Sequence, residues 1–260
     1  MTALWYLKEN PAIDNAEIYI AFVPDEEIGL RGARKIDFDK FKVDYAYIID
    51  CCERGELIYE TFNAASGTLK IKGVTAHPMS AKGNLVNPIM VAHDFIAMLD
   101  RAKMPENTED RKGYVWVTDI HSYVLNLRLD FNIRNHDREK FEASKAYLYK
   151  ITEILKERYK KTEIEIEIED VYANIKDSMN DENKIAVDRL REIFEKLGIE
   201  PKIIPMRGGT DGSYLSKVGI FTPPNYFTGA HNFHSNKEFL PIDSFYNSFL
   251  VTLELMKDKL

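Results

Sequence analysis

Tyr19-Ile20-Ala21-Phe22-Val23-Pro24-Asp25-Glu26-Glu27-Ile28-Gly29 is the stretch on which the reading of this chain turns. The apolar run at residues 18–23 predicts a buried strand. Pro24 ends it, because proline has no N–H for a ladder and presets a turn or a first helical position. Three carboxylates and a glycine follow at the strand's carboxyl end, where ligands gather in open α/β sheets. Glu26 and Glu27 are adjacent and so point in different directions, which lets one hold a metal while the other handles a proton. The plainer alternative is that Asp25, Glu26 and Glu27 complement the N-terminal dipole of a following helix.

Working outward from this stretch, residues 1–7 are apolar and helical in character, closed by Lys8-Glu9-Asn10-Pro11. They read as the tail of a helix whose upstream part is missing. Downstream, residues 45–49 predict a strand ending in Asp50, and residues 57–62 predict another. The pattern then changes. Residues 68–74 alternate as a strand, and Asn87 with Pro88 opens a helix. Two strands follow at 114–120 and 125–133, then a long helix capped by Asp137 and a strictly alternating strand at 162–171. That β-α-β-β-α-β order is ferredoxin-like. After it come a helix at 182–197 ended by Gly198, a short strand at 201–205, a run at 219–224 that leads into Asn225 to His234, and a last amphipathic helix from Ile242. The expected organisation is one α/β domain (1–66 and 172–260) split by an inserted α+β domain (67–171).

Composition narrows the class. With 260 residues, 45% of them hydrophobic, the chain can bury a sizeable core. Its 35 basic against 42 acidic residues give a net charge of −7 and form no basic stripe, which argues against nucleic acid or an anionic membrane as partner. No run approaches the ~20 apolar residues of a membrane span. Cys51 and Cys52 are the only cysteines, and neighbours rarely satisfy disulfide geometry, so a reduced, cytoplasmic setting is expected.

The expected strand ends bring together Glu26, Glu27, Asp50 and His234. Mixed Asp, Glu and His donors with positions left for water are what hydrolytic zinc requires. Each has a bland rival: Asp50 as a turn residue, and His231 or His234 as a solvated loop histidine. Arg207-Gly-Gly-Thr-Asp-Gly-Ser lacks the Lys-Ser/Thr ending of a phosphate loop. It reads either as a flexible turn or as an Arg beside glycine amides that suits a carboxylate.

Taken together, several motifs resemble the peptidase T branch, tripeptide aminopeptidases, of the di-zinc peptidase family related to aminoacylase and carboxypeptidase G. They are Pro-Asp-Glu-Glu-Ile-Gly, Asp50, Phe-Asn-Ala-Ala-Ser, His77-Pro with Ala81-Lys82-Gly83 and Val86-Asn87, Arg134, Arg-Gly-Gly-Thr-Asp-Gly-Ser and Asn-Phe-His. The resemblance implies a zinc-peptidase α/β/α domain with an inserted ferredoxin-like lid. By it, Glu26 is the general base, Glu27 and His234 hold one zinc, and Asp50 holds the other. His77 supports the oxyanion, while Asn87, Arg134 and Arg207 bind the peptide and its terminal carboxylate. The expected partner is a short peptide, and a homodimer through the lid is an open option.

Two departures stand out: Cys51 and Cys52 replace the family's usual glycines, and Met79-Ser80 replaces Gly-Thr. The family's His-x-Asp ligand motif finds no match in these residues, nor does its bridging carboxylate. The expectation is therefore an N-terminally truncated chain, inactive by itself and holding at most one weak zinc. Its rival is a non-catalytic remnant that serves as a binding or association module.

Overall fold

The structure is a computed structural model that describes residues 1–10, 17–43, 46–50, 52–218 and 224–257. Cys51, the start of the strand expected at Tyr45 and the run at 219–223 lie outside the described residues. In chain order the first elements are α1 (Thr2–Glu9), β1 (Ile48–Ile49) and β2 (Glu56–Glu60). Next come β3 (Asn63–Lys72), α2 (Pro88–Ala97), β4 (Tyr114–Tyr123), β5 (Asn126–Asn135), α3 (Arg138–Arg158) and β6 (Glu163–Tyr172). The chain closes with α4 (Ile185–Lys196), β7 (Lys202–Pro205), α5 (Asp211–Lys217), β8 (Asn225–Tyr226) and α6 (Ile242–Lys257). This is an α/β fold, divided into two compact units, Met1–Thr61 with Ala173–Leu260 and Phe62–Tyr172. The expected break at 66/67 falls inside β3, whose ladder already pairs Ala64 with Arg134 and Ala65 with Ile133.

The Phe62–Tyr172 unit is an antiparallel sheet in the order β4-β5-β3-β6, with two helices. Alternate residues of β3 and β5 (Leu69, Ile71, Leu127, Leu129, Phe131, Ile133) form one core with Phe95 of α2 and Phe141, Leu148, Ile151 and Leu155 of α3. The helix starts follow the sequence chemistry. Asn87 Oδ1 accepts the Ile89 N–H at 3.0 Å with Pro88 at the first position, and Asp137 Oδ1 accepts the Lys140 N–H at 2.9 Å. Gly67 is required where it stands, because a Cβ there would meet the Phe131 ring at 2.3 Å.

The other unit holds a four-stranded sheet in the order β1-β8-β2-β7, in which β8 runs antiparallel to β2. Leu57, Ile58, Tyr226 and Phe227 pack with Leu190, Ile193 and Phe194 of α4 and Val251 of α6. The end of α4 is a Schellman motif: Gly198 at φ +67° donates to Glu195 O, and Ile199 donates to Phe194 O.

The strand expected at 18–23 is not formed. Residues 17–23 run without regular structure, and Phe22 is 75% exposed. A strand exists only through its ladder, and no described residue pairs with this segment. The helix expected by the plainer alternative is also absent, since only a single-turn 3₁₀ helix, Ala33–Lys35, follows the acidic turn.

Candidate active site

The acidic turn is held by its own backbone. Glu26 O accepts the N–H of Gly29 and Leu30, at 3.2 and 3.0 Å, and Asp25 O accepts the N–H of Arg31 at 3.2 Å. Asp25 adopts φ 63°, a left-handed conformation that Cys52 (φ 76°, two residues past Asp50) and His234 (φ 60°) share. Non-glycine residues in this region are strained, and such strain gathers at functional sites.

Glu27 and His234 meet: Nε2 of the histidine lies 2.8 Å from Oε1 of the glutamate, with both side chains open to solvent. His231, three residues earlier, has a different fate. It pairs with Glu53 at 3.0 Å and stacks on Phe239. Glu26 is half-buried. Burial first, then the charges of Asp50, Glu27 and Asp211, push its carboxyl from 4.5 up to about 7, against a smaller pull from His234. Asp211, the first residue of α5, is pushed from 3.8 up to about 6 by burial and then by Asp50. Its Oδ1 finds no hydrogen-bond partner among the described residues. Asp50, Glu27, Asp211 and His234 therefore all stand within electrostatic reach of Glu26. Arg207 is half-buried in the loop that leads into α5.

The remaining expected residues belong to the Phe62–Tyr172 unit. His77 is exposed and its Nδ1 accepts the Met79 N–H at 3.2 Å. Asn87 uses its Oδ1 to cap α2. Arg134 Nη1 donates to the carbonyls of Ala65 (3.0 Å) and Ile133 (2.9 Å), and the guanidinium lies over the Tyr172 ring.

A profile of peptidase family M20/M25/M40 matches residues 1–258. The chain belongs to this family. Among curated relatives, a peptidase T-like protein of Yersinia pestis is 51% identical over 254 residues, covering 97% of this chain and 62% of the relative. The chain thus spans less than two thirds of that relative's length. Among solved structures, a tripeptidase of Staphylococcus aureus superposes with a TM-score of 0.83 at 24% identity, covering 98% of this chain and 67% of the other. A dinuclear metal binding peptidase from the M20 family, of Bacillus subtilis, gives 0.70 at 16% identity, covering 97% and 68%. At these identities the two structures establish the shared fold.

For this M20 chain the donors fit a divalent cation in kind but not in number. Carboxylate oxygens and an imidazole nitrogen are suitable ligands, and Glu27 and His234 are already side by side. Yet no three His, Cys, Asp or Glu side chains among the described residues converge closely enough to hold a metal ion. These residues alone do not complete a metal centre. Asp211 has no role in the sequence pattern, where the Arg207-Gly-Gly run reads as a flexible turn or as an Arg suited to a carboxylate. The signal was there. Thr210 followed three residues later by Ser213 is a capping-box pattern, and the structure forms that box, which makes Asp211 the first helical residue.

Proposed function

We propose that this chain carries the proton-handling centre and part of the metal-holding set of a zinc-dependent aminopeptidase that releases the N-terminal residue of tripeptides. The observation that supports the reading most is the half-buried Glu26 carboxyl, raised to about 7 beside Asp50, Glu27 and Asp211. A general base or acid works best with its pKa near the operating pH. In this role Glu26 takes a proton from the attacking water and returns it to the leaving amine. Glu27 and His234 would hold one zinc and Asp50 would serve the other, with further donors beyond these residues. His77, Asn87, Arg134 and Arg207 would hold the peptide. A cytoplasmic setting belongs to the same reading. Pairing of two copies through the inserted unit belongs to the same proposal and is read by light scattering.

Two donors at one position and one at the other are too few for tight binding, since catalytic zinc keeps three protein ligands. The 260 residues alone should hold at most one weakly bound zinc and cleave no tripeptide, as metal analysis after dialysis and a tripeptide assay will read. The decisive test joins this chain to the part of the Yersinia relative that it does not span. That chimera should cleave tripeptides. Glu26→Gln in it should cut turnover by about 10²–10⁴-fold with metal content unchanged. Near-normal turnover in the variant removes Glu26 as base. A chimera that binds tripeptides but never cleaves them favours the binding-module reading.

A further inference from the structure

A buried hydrogen-bonded chain runs through the first unit to the start of α5. Thr61 is the last residue before the chain leaves this unit, and Asn174 is the second after it returns. Asn174 Oδ1 accepts the Thr61 N–H at 2.9 Å and the Lys176 N–H at 3.0 Å. Thr61 Oγ1 accepts the Ile175 N–H at 3.0 Å and shares a 3.3 Å hydrogen bond with Ser213 Oγ. Ser213 Oγ in turn accepts the Thr210 N–H, and Thr210 Oγ1 accepts the Gly212 N–H at 3.2 Å, which is the capping box of α5. Thr61, Asn174, Thr210 and Ser213 are each no more than 2% exposed.

The cost of such a network is high unless every member is satisfied, and once satisfied it fixes one geometry. Stability alone could be had with apolar residues at these positions. What the polar chain adds is a defined link from both crossings to one helix start. Asp211 and Arg207 flank that start, and the Asp211 charge is one of those that bear on Glu26.

We propose that Thr61 is a positioning residue that, with Asn174 and Ser213, ties the two chain crossings to the first turn of α5 and so sets where Asp211 and Arg207 stand. This rests on the function proposed above only for what those two residues do. A load on either crossing then reaches α5 through hydrogen bonds rather than through flexible loop.

The test uses the 260-residue chain and no substrate. The Asp211 carboxyl is titrated by ¹³C NMR in the unaltered chain and in Thr61→Val and Thr61→Ser, with thermal unfolding followed alongside. Thr61→Val keeps the shape and loses the hydroxyl. The Asp211 midpoint, about 6 in the unaltered chain, should fall toward the ordinary 3.8 as α5 loosens and its first turn gains water. Thr61→Ser should restore it. A merely structural Thr61 would lower the unfolding temperature and leave Asp211 where it is, which overturns the proposal. If Thr61→Val does not fold, Thr61→Ala removes the same hydroxyl, leaves the capping box its own side chains, and is read the same way. Tripeptide cleavage enters none of these readings, so failure here and failure of the peptidase reading are distinguishable.

Discussion

Each of the four strands in the Phe62–Tyr172 unit has ten residues and nearly full ladders, whereas those of the other unit have two to five. Both units hold a buried apolar core, and the contrast lies in particular apolar residues. In the inserted unit Phe95, Phe131 and Phe141 are all but sealed from solvent. In the other, Phe22 is 75% exposed although it sits in an apolar run, and Ile242 is 84% exposed at the start of α6, while Phe194 and Phe227 are sealed. The inserted unit closes its sheet from one continuous run of chain, with β4 and β5 paired as a hairpin and β3 paired to both β5 and β6 over nearly its whole length. The α/β unit draws its sheet from segments far apart, and residues 17–23 find no ladder at all among the described residues.

The sharpest way to break this comparison is to truncate one phenylalanine in each place. The two tryptophans report separately, because Trp5 lies in α1 and Trp116 in β4. With Trp5→Phe as background, Phe131→Ala should lower the stability read at Trp116 by about 3–5 kcal/mol in urea unfolding. With Trp116→Phe as background, Phe22→Ala should move the Trp5 reading by about 0.5 kcal/mol or less. Equal effects would mean that Phe22 is as much a core residue as Phe131.

That asymmetry also explains what could be read in the sequence. Period-two alternation in β3, β5 and β6 and the caps at Asn87 and Asp137 were legible, because local pattern and burial agree there. The opening strand at 18–23 was misread, since an apolar run reports a capacity to be buried and not the partner that would bury it. In the site, Glu27 and His234, expected to share one zinc, lie 2.8 Å apart, and the charge of Asp50 bears on Glu26. Asp211 went without a role because charge coupling between remote loops leaves no spacing in sequence. Its cap could be read from Thr210 and Ser213, but its nearness to Asp50 could not.

A smaller effect separates two roles for Asn87, expected to touch substrate and seen to cap α2. Asn87→Ala should cost about 0.5–2 kcal/mol at the Trp116 probe. Asn87→Asp keeps a capping oxygen and removes the amide donor, so stability should stay within about 0.5 kcal/mol of the parent. If the Asp variant, placed in the chimera, binds tripeptide as well as the parent does, Asn87 is a cap and no more. Weakened binding at unchanged stability assigns the free Nδ2 to the peptide.

The smallest effect should run in opposite directions in the two units. Glu26 and Asp211 have folded values raised to about 7 and about 6, from 4.5 and 3.8. A raised carboxyl contributes its stability fully below its unfolded value and loses it as pH rises through the folded one. The α/β unit should therefore weaken between about pH 4 and pH 7. In the inserted unit, Asp94 is held below its usual range by hydrogen bonds from Tyr159 and then Arg158. Asp130 is held low too, burial being outweighed by hydrogen bonds from Thr68 and Arg128. Lowered carboxyls act the other way: their contribution is complete above 3.8 and fades as pH falls below it. Urea midpoints read at Trp5 should thus drop on going from pH 4.5 to 7, while those at Trp116 should drop only on acidification. Glu26→Gln should flatten much of the Trp5 slope and leave the Trp116 curve alone, because it removes the carboxyl that burial and Asp50 penalise most. Parallel curves from the two probes would mean that the crowded carboxylates around Glu26 cost the fold nothing, and the contrast between the units would then be one of packing alone.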